Sequence, residues 1–409
     1  MGQDNIAKTS LRHMASTGDE LSLLGFGCMR FPKKGLRIDM EASEPLIRRA
    51  IEAGVNYFDT AYMYSGSEEA LGAILAKTGA DGRKLRDKVN IATKLPAVMI
   101  RSREDMDDKF NTSLKRLRTD YVDYYLMHSL SSFGDWDRLK RLGALDFIDR
   151  QRAAGRIRHI GFSWHGNLSN FRRVVDDYGW GFCMIQYNYI DTHYQAGTEG
   201  LKYAAAKGLG IVIMEPLRGG TLAGNLPPRA AKIINDYKGA DGKTASAAYW
   251  GLRWVMDKPE VHVVLSGMST IGQLTENIAA AADSRPGSLS APDAKAIDSV
   301  AAEYRSKTKV SCTGCSYCVP CPYGVDIPTC LSYYNDKAVF GGRFNDIMYL
   351  VRTGGATPGR ASQCIKCGVC EKKCPQQLHI MDNLSDAAKT MEKPWLTIPV
   401  SLAMRIMGR

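Results

Sequence analysis

Two apolar runs, YVDYYLMH at 121–128 and IRHIGFS at 157–163, bracket a polar stretch that ends in Gly155. Both runs are short and rich in aromatic and branched residues, as a buried strand requires. Similar runs lie on either side: VNYFDTA (55–61), VNIATKL (89–95), FCMIQYN (182–188), GIVIMEPL (210–217) and VHVVLSG (261–267). With an early run at Ser22–Met29 they make eight. The segments between them read as helices. After Ser102, the residues Met106, Phe110, Leu114 and Leu117 fall on one helical face, and Ser102 with Asp105 resembles a capping box. Gly54, Gly155 and Gly208 stand where helices end before the next strand. Apolar strands flanked by helices imply a parallel sheet covered on both faces. Eight βα units over about 280 residues fit a (β/α)₈ TIM barrel. A doubly wound open sheet is the rival, weakened by the absence of a G-x-G-x-x-G turn after the first strand.

The chain has 409 residues, enough for a second domain. With 44% hydrophobic and 24% charged residues it is neither disordered nor fibrous. No run reaches the ~18 apolar residues of a membrane span, and MGQDNIAKTSLRHM lacks the apolar core of a secretory signal. A cytoplasmic protein without membrane association is therefore expected. The net charge of +11 comes without long basic runs, so no nucleic-acid partner is expected.

Polar side chains end four successive strand runs: Asp59, Lys94, His128 and Ser163, at separations of 35, 34 and 35 residues. One βα unit apart each time, they fall at the C-terminal mouth, where barrels keep their chemistry. Tyr64 lies in the loop above. A lysine ammonium beside a tyrosine lowers the phenol's pKa toward the working range, so Tyr64 is expected to act as general acid toward a carbonyl oxygen. His128 can polarise the same oxygen.

The segment GVNYFDTAYMYSGSEEALG (54–72), with ATK (92–94) and YLMH (125–128), resembles the aldo-keto reductase family over about 280 residues. The resemblance implies a catalytic tetrad of Asp59, Tyr64, Lys94 and His128, a nicotinamide cofactor extended across the mouth, and an aldehyde, ketone or alcohol as substrate. On the cofactor side it implies Ser163 and Gln186 at the carboxamide and Glu276 and Asn277 at the adenine. Gly267, Ser269 and Gln273 fall in the closing segment LSGMSTIGQLTEN (265–277), where Gly267–Thr270 could form a phosphate site. The sequence departs from the family at Trp164, where asparagine is usual, and at Met214, in place of a stacking tyrosine. Gly267 and Gln273 replace the basic residues that grip a 2′-phosphate, so the choice between NAD and NADP stays open.

Nine of the 11 cysteines lie between Cys312 and Cys374. Cys364-x₂-Cys367-x₂-Cys370-x₃-Cys374-Pro375 fits the bacterial ferredoxin pattern for a [4Fe–4S] cluster. Cys312-x₂-Cys315-x₂-Cys318-x₂-Cys321-Pro322 is one residue shorter in its last gap. Zinc is the alternative metal. By the ferredoxin rule one cluster takes Cys312, Cys315, Cys318 and Cys374, and the other takes Cys364, Cys367, Cys370 and Cys321. The short last gap leaves the choice between Cys318 and Cys321 open, and Cys330 is left over, either as a buried inert thiol or as a substitute ligand. Helical runs at LSYYNDKAV and FNDIMYLVR make the block resemble the α-helical ferredoxin type, and the chain as a whole the iron–sulfur branch of the aldo-keto reductases. The expected domains are 1–305 (barrel), 306–390 (iron–sulfur) and a 391–409 tail, whose helix Pro399 should interrupt.

A nicotinamide moves two electrons together and a [4Fe–4S] cluster one at a time, so direct exchange needs an intermediary such as a flavin. Three readings follow: a carbonyl reductase with largely structural clusters, an electron-transfer protein linking a redox partner to a barrel-bound flavin or nicotinamide, and a docking module on a retired barrel.

Overall fold

The computed structural model describes residues 7–406 apart from 36, 225, 240–241, 243, 311, 313–317, 355–358 and 375–377. Eight parallel strands form a closed barrel in sequence order. They are β1 (Leu24–Gly27), β2 (Tyr57–Asp59), β3 (Asn90–Leu95), β4 (Val122–Leu130), β5 (Ile157–Trp164), β6 (Phe182–Gln186), β7 (Gly210–Met214) and β8 (Val263–Ser266). The open-sheet alternative is thereby excluded. Several runs overshoot their strands: 182–188 stops at Gln186 and 210–217 at Met214, where the chain leaves the sheet at the rim.

Helices follow the strands, and their ends obey the local chemistry. Ser102 and Asp105 close a reciprocal capping box on Arg103–Leu117, as expected, and Ser132 with Asp135 repeats it on Phe133–Arg141. Gly155 and Gly208 take left-handed φ of 68° and 82° to turn the chain toward the next strand. The barrel core is built from the inward residues Tyr57, Tyr124, Leu126, Phe182, Met184, Val212, Val263 and Leu265. A hairpin of Leu11–Met14 and Asp19–Ser22 covers the N-terminal end of the barrel. Its Met14 and Leu21 are fully buried in that core, and a Cβ on Gly210 would meet Met14 Cγ at 2.7 Å. Arg12 ties the hairpin down by donating to the carbonyls of Met256, Lys258 and Val261.

The chain divides into two compact units. One comprises Met1–Gly224 with Tyr237–Ile297, the other Asn225–Asp236 with Asp298–Arg409. The second unit is mainly helical, with Ile327–Phe340, Phe344–Thr353, Ile380–Met391 and Pro394–Ile406 as its longer helices after the boundary helix Ala291–Lys307. Its core gathers Ile327, Cys330, Leu331, Tyr349, Leu350, Leu384 and Met391. Pro399 lies inside the last helix rather than interrupting it. A proline withdraws one hydrogen-bond donor and crowds one carbonyl, which an otherwise bonded helix can absorb as a local bend.

Candidate active site and candidate cluster site

The barrel mouth collects the four strand-end residues. Asp59 is the last residue of β2 and pairs in register with Ala92, two positions before Lys94 on β3. Lys94 in turn pairs with Leu126, two positions before His128 on β4. Tilted strands convert this stagger into equal height along the barrel axis. After His128 the β4–β5 register shifts between Met127 and Leu130, and Ser129 adopts φ 57°. The Ser129 amide donates to the Ser163 hydroxyl at 2.7 Å, which pins this irregular turn beside His128.

Lys94 is 1% exposed, and its ammonium donates to Asp59 Oδ1 at 2.6 Å and to the Thr60 carbonyl at 2.7 Å. The same nitrogen lies 4.9 Å from the centre of the Tyr64 ring. The Tyr64 and His128 rings meet edge to face, with centroids 6.0 Å apart. The residues expected from distant stretches therefore converge. Asp59 Oδ2 and His128 Nδ1 are buried without a protein partner, so the cluster is polar but incomplete.

The electrostatics correct one expectation. Lys94 is the largest influence on the Tyr64 phenol and pulls its pKa down, as argued from sequence. Burial and the charges of Asp59 and Glu215 outweigh it, and Tyr64 ends above its ordinary value. Burial works against the Lys94 ammonium, but Asp59 and Tyr64 more than compensate and keep it charged. Burial pushes the Asp59 carboxyl up while Lys94 opposes it. Burial, with Lys94 and His165 adding to it, holds His128 down at about 3, so its ring is neutral at any working pH.

The expected cofactor contacts also sit at this end. Gln186 on β6 donates to Asp191 at 2.8 Å and accepts from Gln195 at 3.2 Å. Trp164 is fully buried and turns its indole N–H onto the Gly166 carbonyl at 2.8 Å. Met214 ends β7 half-buried. Thr270 caps the helix Ile271–Ala282, the Gln273 side chain accepts from the Ser269 amide at 2.8 Å, and buried Asn277 donates to Ser266 at 2.7 Å. Gly267 follows β8 directly, and Glu276 is half-buried on the helix after it. The sequence reading passed over Glu215. Its signal was the one that picked Asp59: a charged residue at the C-terminal end of an apolar strand.

In the second unit, Cys318, Cys321, Cys364, Cys367 and Cys370 line one small cavity with Ile327, Ile365 and Leu384. Cys312 and Cys374 pack against the same core, whereas Cys315 lies outside the described residues. Among the described residues no three of histidine, cysteine or acidic groups are drawn around a single metal-sized point. Cys330 is fully buried away from that cavity, its thiol 3.3 Å from the Gly359 carbonyl, and burial pushes it up to about 12.

Residues 23–302 match the aldo/keto reductase family, more than half of the chain. The chain belongs to that family. Residues 311–384 match the 4Fe-4S dicluster domain, so this aldo-keto reductase is an oxidoreductase with a ferredoxin-like iron–sulfur domain. An uncharacterized oxidoreductase of Bacillus subtilis is 28% identical over 308 residues, 66% of this chain and 90% of that relative. The L-galactose dehydrogenase of Arabidopsis thaliana is 27% identical over 292 residues, 67% of this chain and 89% of that relative. An aldo-keto reductase structure from Bacillus halodurans superposes with a TM-score of 0.58 at 23% identity, covering 71% of this chain and 96% of that one. That last likeness speaks for the fold alone. Among the described residues no helix is long and apolar enough to cross a membrane.

Proposed function

We propose that the barrel interconverts a small-molecule aldehyde or ketone and its alcohol, with Tyr64, Lys94, Asp59 and His128 as the reacting group. The observation that carries this reading is the buried Lys94 ammonium, held by Asp59 at 2.6 Å and lying 4.9 Å from the centre of the Tyr64 ring. A nicotinamide bound at the mouth would supply or accept the hydride. In reduction, the substrate oxygen lies between the Tyr64 hydroxyl and the His128 ring. Tyr64 gives up its proton as charge builds on that oxygen, and its raised pKa keeps the proton available at neutral pH. The fixed charge of Lys94 stabilises the phenolate left behind, and Asp59 holds the lysine in place. A neutral His128 donates one ring N–H to the oxygen without titrating. The orphaned Asp59 Oδ2 and His128 Nδ1 fit a mouth completed by further polar groups. Ser163 and Gln186 would hold the carboxamide. Gly267, Ser269, Gln273, Glu276 and Asn277 would hold the nucleotide end.

The soft thiolate donors of the second unit fit two [4Fe–4S] clusters. The cavity that gathers Cys321 with Cys364, Cys367 and Cys370 supports the crossed assignment, leaving Cys312, Cys315, Cys318 and Cys374 for the other cluster. Cys318 lines the same cavity, so the Cys318–Cys321 choice remains its testable point. Cys367 is exposed, which favours a second reading in which this cluster exchanges single electrons with a redox partner and links that partner to a flavin or nicotinamide in the barrel.

The deciding experiment uses Tyr64→Phe protein purified without oxygen, with nicotinamide-driven reduction of an activated carbonyl as readout. Turnover should fall about 10²–10⁴-fold while nucleotide affinity stays within about twofold. Unchanged turnover would reject the tetrad. A flavin released on denaturation would favour the electron-transfer reading.

A further inference from the structure

We propose that Arg30 is the cation that grips a phosphoryl group of the dinucleotide, replacing a basic side chain that the loop after β8 lacks. The proposal rests on a dinucleotide occupying the barrel mouth, as in the reading above. Arg30 ends a short 3₁₀ turn, Cys28–Arg30, that leaves β1 at its C-terminal end. β1 is paired with β8, Ser266 standing opposite Phe26, so the next residue, Gly267, is brought under this turn.

The glycines report where the arginine lies. A Cβ on Gly267 would come 2.9 Å from Arg30 Cδ and 3.1 Å from its Cβ and Cγ, so the aliphatic stem rests flat on the bare Gly267 backbone. A Cβ on Gly219, in the turn after β7, would come 3.0 Å from Arg30 Nη2. The guanidinium therefore reaches from β1 across the loop after β8 to the loop after β7. Those two loops are where barrels repeatedly bind phosphate. Glu215 Oε2 approaches the same point, 3.5 Å from that Cβ on Gly219. Among the described residues no hydrogen bond or ion pair ties down the exposed guanidinium.

Charge and shape then agree. Arginine recognises phosphoryl oxygens through a planar fork of donors, and lysine does so only as a point charge. Any side chain at Gly267 would occupy the space of the Arg30 stem. A side chain at Gly267 and Arg30 in this position thus compete for the same space, which accounts for the glycine.

The test measures NADH and NADPH dissociation constants by calorimetry on the full, cluster-loaded protein. Its variants are Arg30→Ala, Arg30→Lys, Gly267→Ala and the Arg30→Ala/Gly267→Ala double. Arg30→Ala should weaken at least one nucleotide about tenfold or more, as loss of a charged hydrogen-bonding partner does. Arg30→Lys should recover part of that loss. Gly267→Ala, by displacing the stem, should weaken the same nucleotide, and the double variant should be no weaker than Arg30→Ala. Equal losses for both nucleotides place Arg30 on the shared diphosphate, and a loss confined to NADPH places it on the 2′-phosphate. Native-like binding of both nucleotides by Arg30→Ala overturns the proposal while leaving the carbonyl reading standing, and so do losses that simply add in the double. Failure of the native protein to bind either nucleotide brings down both. Circular dichroism checks each variant's fold, and if Gly267→Ala does not fold, the two arginine variants decide.

Discussion

Replacing Lys94 by methionine removes one member of a pair that has almost no access to water. Lys94 and Asp59 expose 1% and 5% of their side chains and meet at 2.6 Å. The methionine fills most of the space, so the cost falls on Asp59, which is left as a buried carboxylate without its cation. Breaking such a pair costs about 3–5 kcal/mol. For a barrel of this size that is a fall of roughly 6–10 °C in Tm. The loss has a pH signature. Burial already pushes Asp59 up, and Lys94 opposes it. Without the lysine the folded-state pKa rises further above the unfolded value of about 3.9. A raised acid stabilises fully below its unfolded pKa and loses that contribution as pH climbs toward the folded one. Lys94→Met should therefore be close to native in stability at about pH 4 relative to native protein at the same pH, and most destabilised at neutral pH. Adding Asp59→Asn should restore most of the stability, because an amide carries no charge to strand, and restore none of the turnover. Denaturation of the anaerobic protein followed by circular dichroism at both pH values measures this. A Lys94→Met barrel as stable as native at pH 8, or a double variant no better than the single, would refute the assignment of a buried charged pair.

Carbonyl reduction should hold level from about pH 6 to 9 and decline only above the ordinary tyrosine value of about 10, because Tyr64 must keep its proton and its pKa is raised. Alcohol oxidation should climb over the same range, and neither profile should bend near 6.5, since His128 is held at about 3; initial rates against pH show which holds. Cys321→Ser should perturb the same cluster as Cys364→Ser, whereas Cys330→Ser should leave iron content and the visible spectrum unchanged; iron analysis with paramagnetic resonance of the reduced protein separates the two. Gly72→Ala should destabilise the barrel by about 1–3 kcal/mol, since its Cβ would stand 2.6 and 2.7 Å from Leu117 backbone atoms; urea unfolding measures it.

Strand count, strand order and the meeting of Asp59, Lys94 and His128 were legible because all three follow from spacing. One βα unit repeats, and each repeat delivers its last side chain to one rim. The net pKa of Tyr64 was not legible, because it depends on burial and on Glu215, 151 positions away in the chain. The pairing of Lys94 with Asp59 could be read from sequence, but the depth of its burial could not. Arg30 escaped notice for a related reason. Its partner is a missing side chain at Gly267, and an absence acquires meaning only when something is seen lying across it. In the second unit the cysteine spacing announced the chemistry, while Pro399 misled because a propensity rule speaks of one bond and packing speaks for the whole helix.

The hairpin at the barrel's N-terminal end has a practical corollary. The family match begins at residue 23, so a fragment trimmed to it would lose Met14, Leu21 and the Arg12 tether in one cut. Those residues close the packed core at the N-terminal end of the barrel. Without them, Tyr57, Tyr124 and Met184 would lose that cover, and at about 1.5–3 kcal/mol for each apolar side chain returned to solvent the trimmed barrel would be markedly less stable. Any minimal version of this enzyme has to start upstream of its own family boundary.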